Sequence, residues 1–136
     1  MDRKLYLILY ALLALGLSCT PREEKAKELL EQGRLQLIAG DFNAALASLD
    51  ACLSLDTTLA EAYLFRGSVR FNQRDAAGAI ADLNSAIRHQ PSMADAWFNR
   101  GNAWFYLNDR DKACADWKEA ERLGKPNMGD KTRFCP

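Results

Sequence analysis

The feature that most constrains this chain is a period of 34 residues. Written in lines of that length from Ala26, it divides without a gap into 26–59, 60–93 and 94–127, and the columns agree. Column 8 reads Gly33, Gly67, Gly101; column 20 reads Ala45, Ala79, Ala113; column 16 reads Asp41, Asp75, Asp109. A fixed period of this size marks a supersecondary unit that cannot bury its apolar face alone and must stack on copies of itself. Glycine opposite alanine would let two helices approach closely. Each aspartate precedes an apolar-periodic run, where its carboxylate can accept from the free N–H groups of a helix start. Each line therefore reads as two helices, about 23–39 and 42–55, 60–73 and 76–89, 94–107 and 110–123. Column 15, between the two, suits a left-handed turn residue in Gly40 and Asn108 and is less comfortable for Arg74.

With these columns the chain resembles the tetratricopeptide repeat, a 34-residue helix-turn-helix unit with an aromatic at column 4, Gly at 8, Ala at 20, a large apolar residue at 24, a small one at 27 and Pro at 32. Column 4 holds Leu29, Tyr63 and Trp97, column 24 holds Leu49, Leu83 and Trp117, and column 27 holds Cys52, Ala86 and Ala120. Column 32 holds Thr57, Pro91 and Lys125, with Pro126 one place late, so the first repeat departs most from the pattern. The resemblance implies an all-α fold, a right-handed α-solenoid of three repeats with a short C-terminal cap in 128–136. Three repeats are near the minimum for a stable stack.

Comparing the copies with one another adds a contact. Column 7 is Gln32, Arg66, Arg100 and column 23 is Ser48, Asp82, Asp116, charged together in repeats two and three and neutral together in repeat one. This covariation predicts Arg66–Asp82 and Arg100–Asp116 bridges between the helices of a repeat; the alternative is independent exposed charges.

Ahead of the repeats, Arg3 and Lys4 precede thirteen unbroken apolar residues, Leu5 to Leu17, then Ser18 and Cys19. Thirteen is short of the roughly 20 needed to span a bilayer and fits the core of a signal peptide. A cysteine after a small residue at the end of such a core resembles the bacterial lipobox, although Gly16 stands where that motif usually has Leu. The resemblance implies a leader over 1–18, lipidation of Cys19, a linker over 19–25 and an envelope location. Thr20 in place of Asp points to the outer membrane, facing the periplasm. An ordinary secretory signal and an uncleaved anchor are the alternatives. The chain has 18 Lys+Arg and 18 Asp+Glu. Losing the leader would leave 16 basic and 17 acidic groups, no field for collecting phosphates, and so no nucleic-acid partner is expected.

One histidine, His89, and four scattered cysteines give neither a metal-ligand spacing nor a nucleophile–base pair, so no enzyme activity, cofactor or metal is expected. Cys52 fills a small-residue column and reads as a buried thiol. Cys135 falls at the glycine column of a truncated fourth repeat, beside the helix carrying Cys114. In an oxidising compartment the two would close a disulfide, holding Met128 and Phe134 over the last repeat. A disordered tail with a free thiol is the alternative.

In tetratricopeptide arrays the first helix of each pair lines a concave groove. The resemblance places Leu30, Arg34 and Leu37 there from repeat one, Leu64, Ser68, Phe71 and Asn72 from repeat two, and Phe98, Asn102, Phe105 and Tyr106 from repeat three. Such a strip suits an extended peptide or a helix of a protein partner, unless its aromatics pack on their own neighbours. Family members that clamp the C-terminal carboxylate of heat-shock chaperones use basic side chains where this chain has Leu30 and Asp95. A non-catalytic adaptor is the expected function, with a peptidoglycan binder or a structural subunit as alternatives.

Overall fold

In the computed structural model, residues 3–4, 20–133 and 135–136 are described; the lipidation expected at Cys19 and the cover expected from Phe134 lie outside them. The described residues form seven helices and no strand: α1 Pro21–Ala39, α2 Phe42–Leu55, α3 Ala60–Asn72, α4 Ala76–His89, α5 Ala94–Tyr106, α6 Arg110–Arg122 and the single turn α7 Gly129–Thr132. The first six pack pairwise as three tetratricopeptide helix-turn-helix repeats. Among the described residues, no helix is long and apolar enough to cross a membrane.

The starts and stops follow the column chemistry. Asp41, Asp75 and Asp109 accept from the backbone N–H of Ala44, Gly78 and Lys112 at 3.1, 2.9 and 3.2 Å. Before each of these caps, Gly40, Arg74 and Asn108 turn the chain at φ of 79°, 68° and 63°. The following amide then donates back to Gln36, Arg70 or Trp104, satisfying a helix-end carbonyl. Arg74 adopts the left-handed conformation in spite of its side chain, so the turn is imposed by the helices on either side. Helix α1 begins at Pro21, and the segment 21–25 expected as linker is its first turn. Thr20 accepts from the Glu23 N–H at 3.3 Å while its own N–H donates to Glu23 Oε2 at 3.1 Å, a reciprocal cap with proline at the first helical position.

The close approach inside each repeat differs from the expectation in one respect. A methyl placed on Gly33 or Gly101 would lie 2.6 Å from Leu49 Cγ or Trp117 Cδ1, and one on Gly67 would lie 3.0 Å from Leu83 Cγ. The glycines thus make room for the large column-24 side chain; the column-20 alanines contribute their carbonyl oxygens, 3.2 Å away at Ala79 and Ala113. A helix side chain leans toward the N-terminus of its own helix, which carries column 24 across the gap.

The core continues across the repeat boundaries. Ala62 and Val69 of α3 pack with Ala45, Leu49 and Cys52 of the first repeat, and Ala96 of α5 packs with Ala79, Leu83 and Ala86 of the second. After α6, where no further repeat follows in the described chain, Met128 takes this position against Ala113, Trp117 and Ala120 and is 3% exposed. The tail therefore covers the end of the stack, and the Cys114–Cys135 disulfide, with Cα atoms 5.4 Å apart, ties it to α6.

Candidate partner-binding groove

The first helices α1, α3 and α5 carry the residues assigned to the groove, and the structure sorts these residues into four groups. Leu64 is 8% exposed within the second core cluster, and Leu30 and Leu37 pack partly buried against the first, so these three form floor and not contact surface. Their columns point as much to the neighbouring helix as to the concavity. Arg34 is engaged on the surface, its guanidinium bound at 2.8 and 2.5 Å by both carboxylate oxygens of Glu31 one turn earlier. That pairing holds the Glu31 carboxyl below its ordinary range.

The second and third repeats build the open part of the groove. Asn72 donates to the Ser68 carbonyl at 2.8 Å, and the Ser68 hydroxyl donates to the Leu64 carbonyl and accepts from Asn99 Nδ2 at 3.1 Å. Asn102 accepts from Trp117 Nε1 at 3.2 Å. These amides, with Gly67, Phe71 and Leu83, line a hollow of about 120 Å³ between α3 and α5. A wider one of about 480 Å³ adjoins it, lined by Phe71, Asn102, Phe105, Tyr106, Asn108 and Lys131. Phe71 meets Tyr106 edge-on at 5.8 Å and Phe105 tilts over Trp117 at 5.5 Å, which fixes the rings while Phe105 and Tyr106 remain 49% and 45% exposed.

Phe98, assigned to the groove, is covered. Lys125 Nζ lies 4.7 Å and Lys131 Nζ 5.4 Å from its ring centre, and Lys125 is paired with Asp95 at 2.5 Å. Sequence reasoning missed Asn99, whose column was not assigned to the groove, and Lys131, which belongs to the tail and so to no column. The position of Cys135 signalled that the tail folds back. It did not specify which tail side chain would enter the groove.

On the opposite side of α3 and α5 lie the charged columns. Arg66 donates to both oxygens of Asp82 at 3.0 and 2.6 Å, and Arg100 to both oxygens of Asp116 at 2.8 and 2.7 Å. Arg70, one turn further along α3, adds a third nitrogen to Asp82 at 3.0 Å. In repeat one the hydroxyl of Ser48 donates to Gln36 at 2.7 Å, so its partner is a column-11 residue and not Gln32. One further turn of α1 brings a neutral amide within reach of a hydroxyl, which needs no fork of charge.

His89 is exposed and stacks on Tyr63 at 5.6 Å, and no group of three or more His, Cys, Asp or Glu side chains among the described residues could hold a metal.

Residues 94–127 match the family model described as tetratricopeptide repeat. Among solved structures, the first TPR of Spaghetti (RPAP3) bound to the HSP90 peptide SRMEEVD is similar with a TM-score of 0.77 at 24% identity, over 81% of this chain and 89% of that one. The Arabidopsis OM64 TPR domain gives 0.78 at 19% identity over 82% and 93%. The crystal structure of MamA gives 0.70 at 31% identity over 73% of this chain, which spans 58% of MamA. No curated protein matches the sequence.

Proposed function

We propose that this chain, a tetratricopeptide-repeat protein, is a non-catalytic adaptor that binds a segment of a partner protein in the concave surface of α3 and α5. Domains of this kind typically mediate peptide or protein binding, on a scaffold that is typically non-catalytic. The observation that carries the reading is the pair of adjoining hollows, in which hydrogen-bonding amides of Asn72, Asn99 and Asn102 stand beside the fixed rings of Phe71, Phe105 and Tyr106. Amides can satisfy the backbone of an extended segment, and rigid rings can take its apolar side chains at little entropic cost.

Within the same proposal, the chain works in the bacterial envelope, held by lipid on Cys19 and more consistent with the periplasmic face of the outer membrane than with the inner membrane. The apolar run before Cys19 and the Cys114–Cys135 bridge both support a compartment outside the reducing cytoplasm. Labelling cells with an alkynyl fatty acid tests the anchor: label on the wild-type chain and none on Cys19→Ala is the expected result.

Affinity capture with the membrane-bound chain tests the groove. A partner retained by wild type and lost on Phe71→Ala or Phe105→Ala supports the adaptor. Retention on cell-wall sacculi supports a peptidoglycan binder instead, and a partner lost only on deletion of the tail supports a structural subunit. Trp97 and Trp104 offer a poor sugar-stacking platform, because Arg100 and Lys112 already lie over their rings at 4.8 and 4.4 Å.

A further inference from the structure

The tail brings a positive charge into the groove. Lys131 of α7 sits with Nζ 4.7 Å from the Trp117 ring centre and 5.4 Å from that of Phe98, and it lines the wider hollow beside Phe71, Asn102, Phe105 and Tyr106. It is the single charged residue of that lining. Lys25, Lys112 and Lys125 each pair with a carboxylate, whereas Lys131 makes no ion pair among the described residues. Lys131 and Phe105 also border an adjoining hollow with Asp111, Asp130 and Arg110, and neither carboxylate forms an ion pair with Lys131. Two aromatic faces hold the ammonium in place without neutralising it, so it stays available to an incoming anion.

We infer that the disulfide-held tail completes the C-terminal end of the groove as a site for an extended partner segment carrying an Asp or Glu side chain next to an aromatic or large apolar one. The apolar side chain enters between Phe71, Phe105 and Tyr106, the backbone meets Asn102, and the carboxylate meets Lys131. The charge comes from the tail and not from the repeat helices. The site therefore depends on the Cys114–Cys135 bond, and reduction by a dithiol removes the cation together with one wall of the hollow.

This inference rests on the groove reading above, and one experiment separates their failures. A phage-displayed library of random heptapeptides is panned against the oxidised full-length chain and against its Lys131→Glu variant, with circular dichroism confirming that both fold. The expected result is enrichment, on wild type, of sequences with Asp or Glu adjacent to Phe, Tyr, Trp or Leu. On the variant, enrichment shifts to Lys or Arg at the same place. A selected acidic peptide, titrated through Trp117 fluorescence, is expected to bind about fivefold more weakly to Lys131→Gln and to lose more on dithiol reduction.

Enrichment of peptides without acidic residues, lost on Phe71→Ala, would leave the groove standing and overturn the assignment of charge. Equal affinity of the acidic peptide for wild type and Lys131→Glu would do the same. No enrichment on either protein would overturn both readings.

Discussion

Arg66 fastens two repeats together: its guanidinium grips both oxygens of Asp82 in its own repeat and reaches Asp50 of the preceding one at 2.7 Å. Arg100 repeats the arrangement with Asp116 and with Asn84 at 2.7 Å. The carboxylates differ in what remains if the arginine is lost. Asp82 keeps Arg70, while Asp116, 4% exposed, has no second arginine in its pairing. Arg100→Ala is therefore expected to lower stability by about 3 kcal/mol or more, and Arg66→Ala by less. Asp50→Ala, which removes an exposed partner, should cost about 1 kcal/mol at most. Denaturant melts of these variants and of the Arg100→Ala/Asp116→Ala double mutant check the ranking, and independent charges would give no coupling energy.

Alanine at the column-8 glycines grades the close packing of the helix pairs. In Gly101→Ala the new methyl meets the Trp117 ring at 2.6 Å and the Ala113 carbonyl at 3.2 Å, and a ring cannot give way as a leucine tip can. A loss of about 1–3 kcal/mol is expected, exceeding that of Gly67→Ala, where Leu83 Cγ stands at 3.0 Å. Thermal unfolding of the two variants decides the order.

The turn at Arg74 offers a gain. Its φ of 68° is one that glycine adopts freely, as Gly40 does in the same column at 79°. Arg74→Gly is expected to change stability by between zero and about 1 kcal/mol in the favourable direction, after allowance for the guanidinium 6.0 Å from the Tyr106 ring centre. A melting temperature below wild type would show that this ring contact outweighs the backbone strain.

How far the sequence could be read depended on whether a residue had counterparts in the other copies. The Asp41, Asp75 and Asp109 caps and the pairwise helices were legible because each appears three times. The approach at Gly101 was legible as a place and misjudged in its partner, since column agreement names positions without saying how far Trp117 leans. The groove was harder to read. Leu30, Leu64 and Phe98 share a column assigned to the groove, and all three go into or against the core, because a helix between two neighbours has no purely concave face. Lys131 has no counterpart anywhere, so only folding of the tail onto α5 and α6 could place it.

The free thiol among the described residues, Cys52, reports on the core. Cys52 is fully buried, donates to the Ala26 carbonyl at 3.2 Å, and is pushed above the usual thiol range, first by burial and then by the Asp56 charge. With its folded value raised, its contribution to stability is complete below the ordinary thiol range and is lost as pH rises through the folded value, because the unfolded chain ionises first. Native alkylation at mildly alkaline pH should therefore be negligible without denaturant. Cys52→Ala, matching Ala86 and Ala120, should remove this component of the alkaline loss of melting temperature.

Reducing the Cys114–Cys135 bond, whose partners are 21 positions apart, is expected to lower stability by about 3 kcal/mol through the freed unfolded chain. It should also expose Met128 and the tail to protease while α1 to α4 stay protected. Limited proteolysis with and without a dithiol reads this directly, and equal digestion of all three repeats would show that the bond acts on the whole stack.

Whether the partner lies along the concave side of α3 and α5 is tested most directly by site-specific photocrosslinking in cells that make the intact chain. Benzoylphenylalanine replaces Phe105 in the groove or, as a control, Ala81 on the exposed face of α4. A discrete protein adduct from position 105, absent from position 81 and weakened by Phe71→Ala, is the predicted result. Adducts from position 81 alone, or the same adduct from both positions, would contradict it.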